Sequence, residues 1–206
     1  MSLAAAWQQF SAGLVALDPA FRGALRPPAS PQALEHFTLA LPAALPEGFL
    51  ALYRENDGEE GEYPTGVFFG QRFLPLHEIP RLRDEWAEEL AAGYIEREPP
   101  SDARIGEEFP SLSHLPVFAD GNGNFIGLDV QPGPGGRFGQ VIHFGADLLD
   151  TVWVCGSLRE FIAAARDALA RGAVNVRRDA RSSPRAWMTL SSSAPKLLDV
   201  LKSGRG

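Results

Sequence analysis

The chain of 206 residues holds one cysteine, Cys155, which excludes a disulfide framework and a cysteine-based zinc site. Lysine is scarce. Of 19 basic residues only Lys196 and Lys202 are lysine, an arginine bias that reads as a GC-rich bacterial genome. No apolar run approaches the ~20 residues that cross a bilayer. Met1 to Phe10 carry no basic residue, so no secretory signal is expected. No internal repeat is found. These absences leave a soluble, cytoplasmic protein as the expectation, with no membrane partner.

Glycine and proline are plentiful, at 21 and 17 residues, which predicts many turns and long connections. An apolar share of 45% and a charged share of 22% are ordinary globular values. The net charge of −7 conceals an asymmetry. Residues 1–155 hold 22 acidic and 9 basic side chains, whereas residues 156–206 hold 4 and 10. An acidic body disfavours nucleic acid and favours a basic protein partner, chiefly through the association rate.

Helical periodicity dominates the first third. Trp7, Phe10, Leu14, Leu17, Phe21 and Leu25 form one apolar stripe, broken at Asp18-Pro19, where Asp18 is the expected N-cap. Ser30-Pro31 starts a second helix, with Leu34, Phe37 and Leu41 along one side. A third runs from Pro46 and is expected to close at Gly58 in a left-handed conformation. Val67–Phe69 and Arg72–Leu74 read as a tight hairpin around Gly70-Gln71. Residues 77–92 read as a helix and 94–114 as loop. From Leu115 the period becomes two, giving strands at 115–119, 124–130, 138–144 and 151–155. Ser157 and Glu160 then form a capping box for a helix. Residues 172–194 read as a flexible basic extension, followed by a short helix at 195–201. The domain expectation is 1–171 as one unit and 172–206 as the extension.

No motif makes a catalytic centre. Asp120-Gly-Asn-Gly-Asn124 begins like a calcium loop, but Phe125 and Gln131 stand where the loop needs glycine and a bidentate glutamate. The stretch Gly133–Gly139 is glycine-rich, yet a strand follows it and not the helix a phosphate site requires. His36, His77, His114 and His143 show no metal-ligand spacing. Cys155 ends an apolar strand, and Ser157 is a cap outside any nucleophile elbow. No catalytic residue, metal ligand or cofactor is assigned.

Three stretches carry a family resemblance. They are Leu25-Arg-Pro-Pro-Ala29 with Leu45–Gly58; Arg72–Ile79 with Trp86; and Leu115–Asp129 with Pro132–Gly136, Gly139–Ile142 and Ser157–Phe161. Together they resemble the SUKH superfamily, specifically its Smi/Knr-type family, over roughly residues 20–170. The resemblance implies an α+β fold with a twisted, mainly antiparallel sheet packed by helices. It implies a binding module and not an enzyme. Bacterial members resemble immunity proteins that neutralise a toxin, often a nuclease, by direct binding. Eukaryotic ones resemble cell-wall regulators and adaptors, which is the alternative reading. Thr38 and Pro42 stand where the family often has an acid and a glycine.

The expected partner surface is the acidic run Glu55, Asp57, Glu59, Glu60 and Glu62, five acids in eight residues with no base. It lies in a connection, where recognition tends to sit. A second acidic patch gathers Asp84, Glu85, Glu88, Glu89, Glu107 and Glu108. Oligomeric state is left open by the sequence.

Overall fold

The computed structural model describes residues 1–41, 44–60, 66–93, 99–178 and 186–190, with 177–178 and 186–190 as backbone alone. Helices come first. Helix α1 (Leu3–Leu17) is capped by the Ser2 side chain and ends at Asp18, whose carboxylate caps the 3₁₀ turn Pro19–Gly23. Helix α2 (Pro31–Ala40) starts at the Ser30 cap, as its sequence predicts. Helix α3 (Phe49–Glu55) starts three residues later than expected, behind Gly48 at φ 87°. It closes on extended Asn56, not on Gly58. The left-handed φ of Gly58, 79°, serves a close approach instead, because a Cβ there would lie 2.4 Å from the Pro75 nitrogen.

The expected hairpin at 67–74 shrinks to one bridged pair, Phe68 and Gln71. Phe69 and Gly70, between them, both take positive φ (56° and 89°), as a type I′ turn needs. The strand β1 (Arg72–Phe73) then pairs with β2 (His114–Ala119). The rings explain the choice. Phe68 and Phe73 both pack on Phe118 of β2, with centroids 4.1 and 5.4 Å away, so burial of the aromatics outweighs a longer local hairpin.

Strands β3 (Asn124–Asp129), β4 (Gln140–Gly145) and β5 (Val152–Cys155) complete a five-stranded antiparallel sheet in the order β1-β2-β3-β4-β5. Alternation along these strands gives the sheet two apolar faces. Phe118 on one face meets Phe161 of helix α5 (Leu158–Ala170), which packs along α1. Phe125 and Phe144 on the other face meet Trp86 of helix α4 (Glu78–Ala92), with Phe109 of the 99–113 loop filling in beside them. One hydrophobic cluster runs from Leu3 to Val174. Ser157 accepts from the Glu160 amide, and the Glu160 carboxylate accepts from the Gly156 amide, one residue before the expected capping-box donor.

Past α5, β6 (Val174–Arg178) and β7 (Ala186–Leu190) form a two-stranded antiparallel hairpin in the stretch expected to be a flexible extension. The alternation of Val174 and Val176, both against the core, is the signal that the basic and serine-rich composition obscured. The helix expected at 195–201 lies outside the described residues. Phe138, expected within a strand, precedes β4 and is half exposed.

Candidate functional site

The acidic run after α3 is built into the fold. Asn56, the C-cap of α3, accepts from the Trp7 indole at 2.9 Å and donates to the Arg26 carbonyl at 2.7 Å. Asp57 accepts from the Leu76 amide at 2.9 Å, just ahead of α4. Glu59 is fully buried. Its carboxylate accepts from the amides of Gly66 (2.8 Å) and Val67 (3.3 Å), while its own amide donates to the Phe73 carbonyl. Glu55 accepts from the Gln8 side chain at 2.9 Å. Glu60 is exposed and stands 3.7 Å from Arg26, which also lies 3.9 Å from Asp57.

Of the five acids expected to face a partner, then, Glu59 is removed from the surface. The physical reason is two backbone donors that would otherwise be buried without acceptors. Asp57 and Glu55 are half-buried and engaged, Glu60 faces solvent, and Glu62 lies outside the described residues. No sequence signal marks Glu59 as the acceptor, because its donors stand seven and eight residues further along the chain.

The second acidic patch divides as well. Glu107 accepts from the Ser111 hydroxyl, and Glu108 from the Thr151 amide at 2.6 Å. Both fasten the 99–113 loop. Asp84, Glu85, Glu88 and Glu89, by contrast, lie exposed on the outer side of α4. The inner side presents Ile79, Trp86 and, unexpectedly, Arg83 to the core. Arg83 donates to the His114 carbonyl at 3.0 Å, and burial lowers its guanidinium from the ordinary value, opposed by nearby Asp84. Arg81 meets Glu85 at 3.7 Å. Asp84–Glu88 and Glu85–Glu89 are like-charge neighbours one turn apart, an arrangement that costs a helix roughly 0.2–0.5 kcal/mol per pair.

The glycine-rich connection 133–139 is structural, with close backbone packing as its reason. A Cβ on Gly133 would fall 2.4 Å from the Ala103 carbonyl oxygen, and one on Gly136 2.2 Å from that of Arg104. Gln140 ties this connection to the sheet, donating to the Arg104 carbonyl (2.6 Å) and to Asp129 (3.1 Å). Asp129 is buried. Burial raises its pKa, partly offset by hydrogen bonds from Gln131, Gln140 and Gly106. The Asp120–Asn124 turn closes on itself, with Asp120 accepting from the amides of Asn122 and Asn124. Among the described residues no group of three or more His, Cys, Asp or Glu could hold a metal ion. His114 and His143 face opposite sides of the sheet, and buried Cys155 donates to the Ser157 carbonyl. A cleft of about 530 Å³ opens between the first turns of α1 and α5, lined by Leu3, Pro46, Gly48, Phe138, Ser157 and Arg159. None of the acidic candidates from either patch lines it.

These features define an α+β domain: one five-stranded antiparallel sheet between helical layers, with most of its buried polar groups engaged in tethering connections. The chain belongs to the SMI1 / KNR4 family (SUKH-1), whose model matches residues 28–164, two thirds of its length. The match confirms the resemblance and starts after α1. A cell wall biosynthesis/cell cycle regulator of Schizosaccharomyces pombe is 32% identical over 128 residues, covering 55% of this chain and 25% of that protein. The cell wall assembly regulator SMI1 of Saccharomyces cerevisiae is 23% identical over 186 residues, 72% and 36% of the two chains. A glucan synthesis regulatory protein of Neurospora crassa is 24% identical over 178 residues, 68% and 33%. The chain thus spans between a quarter and just over a third of these curated relatives. They are fungal regulators, which fits the regulator reading better than toxin immunity. Among the described residues no helix is long and apolar enough to cross a membrane.

Proposed function

We propose that this chain is a non-enzymatic, cytoplasmic regulatory module that works by binding a basic protein. The outer face of α4 carries the reading. Four exposed carboxylates stand there at spacings that repel one another, and one arginine, Arg81, pairs with them among the described residues. Such a face raises the encounter rate with positive surfaces and gains most when a cationic partner neutralises it. The relatives named as cell-wall and glucan-synthesis regulators support a regulatory adaptor over an immunity protein that neutralises a toxin. The partner surface accordingly moves from the run after α3 to α4.

The test is quantitative affinity capture from the native host with the full chain and its E88K/E89K variant as baits. A protein of high isoelectric point retained by the first bait at low salt, and lost with the second, is the expected result. Equal recovery of every captured protein by both baits would exclude α4 from the interface.

A further inference from the structure

We propose that the cleft between the first turns of α1 and α5 docks an acidic peptide segment of another protein, with an apolar side chain of that segment on Phe138 and its carboxylate on Arg159. The cleft measures about 530 Å³, within the roughly 300–1,000 Å³ of clefts that hold ligands. Its walls are pre-formed by close approaches. A Cβ on Gly139 would fall 2.5 Å from the Pro46 Cβ, and one on Gly48 3.2 Å from Leu3 Cδ1. One wall, Ser2 to Ala4, precedes residue 28, where the match to the family begins, so the cleft is not a property of the shared fold alone.

Two side chains at the cleft are left without a role in the fold. Phe138 is 49% exposed, an aromatic ring half outside the core. Arg159 is exposed and makes no ion pair among the described residues. Arg137, next to Phe138 in the chain, is likewise exposed and unpaired among the described residues. Charge then selects the occupant. Residues 1–155 hold 22 acidic and 9 basic side chains, so two unpaired arginines beside an exposed ring run against the body of the molecule. The helix ends act in the same direction, since the amides of Leu3, Ala4 and Arg159 have no acceptor among the described residues. Glu47 is the one acid among the described lining residues, and it pairs with neither arginine. Glu160, in the first turn of α5, is turned to the Gly156 amide. A carboxylate therefore gains from Arg159, and an apolar neighbour gains by covering Phe138. The site is opposite in sign to the outer face of α4, shares no residue with it, and stands or falls separately.

Amide chemical shifts of the full chain read the site directly. The probe is the capped peptide acetyl-Gly-Phe-Glu-Glu-Gly-amide, titrated at low salt to about 5 mM, alongside a twin with lysine in place of both glutamates. The expected result is saturable movement of the Ala4, Gly48, Gly139 and Arg159 amides with the acidic probe, and about tenfold weaker binding of the twin. R159E, which turns an attraction into a repulsion, should weaken the acidic probe about tenfold, and added salt should narrow that gap. F138A should weaken it about fivefold at any salt. Both positions are exposed, so both variants should keep the circular dichroism spectrum of the parent. No saturable movement at these amides, equal binding of the two peptides, or undiminished binding by R159E would each overturn the proposal. So would equal movement with acetate alone, which would make this a site for small carboxylates, or movement of the same amides on dilution without any peptide, which would assign the cleft to a second copy.

Discussion

The connection after α3 and the outer face of α4 are both dense in acids, and the fold treats them oppositely. Glu59 is fully buried with two amides donating to its carboxylate, and Asp57 fastens the approach to α4. Asp84, Glu88 and Glu89 stand in solvent on a regular helix. The difference comes from the backbone. A helix satisfies its own amides, so its outward carboxylates have nothing local to accept from. An irregular connection leaves amides unpaired, and a nearby carboxylate becomes their acceptor. Acid density alone is therefore a poor guide to a binding surface; acid density on a self-satisfied backbone is a better one.

The sharpest way to break this comparison is at Glu59. E59K removes the acceptor of Gly66 and Val67 and places an ammonium in a site with no exposure. Breaking such a buried charged contact costs about 3–5 kcal/mol. The thermal midpoint should drop by roughly 6–20 °C, at about 2–4 °C per kcal/mol for a chain this size. E59Q keeps one acceptor oxygen and should lose less than half as much. A midpoint for E59K within a degree of the parent would return Glu59 to the surface.

Asp129 extends the comparison to a carboxylate inside the sheet, and here the effect depends on pH. Burial raises its folded pKa above the ordinary 3.8, so folding favours the protonated form. The sign follows. Any stability that Asp129 contributes through its raised pKa is fully present below 3.8 and is lost as pH rises through the folded value. The amide of D129N cannot titrate. In denaturant melts the wild type should gain most on D129N at acid pH. Its advantage should shrink toward neutrality by about 1.4 kcal/mol for each pH unit that separates the folded and unfolded pKa values. A difference independent of pH would place Asp129 in contact with water.

Asp57 should be milder. D57N retains an oxygen for the Leu76 amide but makes a charged acceptor neutral, so the expected loss is about 1 kcal/mol, the difference between hydrogen bonds to charged and to neutral groups. Chemical denaturation resolves a loss of that size, and a cost as large as that of E59K would mean the Arg26 contact matters more than its 3.9 Å separation implies.

The sequence made the regular elements legible because their signals are local. Ser30-Pro31 and Asp18-Pro19 start helices where caps predict, and residues 124–129 form a strand, as the period-two pattern around Phe125 and Leu128 requires. The glycines of 133–139 read correctly as a connection. What stayed hidden was long-range. Glu59 depends on amides beyond the end of its own segment, Arg83 on a carbonyl 31 residues away, and Phe68 on Phe118 and Phe161. The β6–β7 hairpin stayed hidden for another reason, since basic and serine-rich composition outweighed a two-valine alternation. For the candidate surface the sequence supplied the acids, and only the burial pattern separated tethers from free charge.

The smallest expected effect is the one that separates the two regions most cleanly. E88K and E89K change residues that make no hydrogen bond or ion pair among the described residues, on the solvent side of α4. Each turns a repulsive pair one turn apart, Asp84 with Glu88 and Glu85 with Glu89, into an attractive one. The gain is about 0.2–0.5 kcal/mol per pair on each count. The lysines also stand nearer the C-terminal end of the helix, where a cation is favoured by a few tenths of a kcal/mol. The double variant should therefore melt at or slightly above the parent at low salt, by no more than a few degrees. The gain should fade as salt is added, because exposed charges are screened over about 8–10 Å. A fall in midpoint comparable to that of E59K would show that these carboxylates tether the fold too, and the contrast between the two acidic regions would collapse.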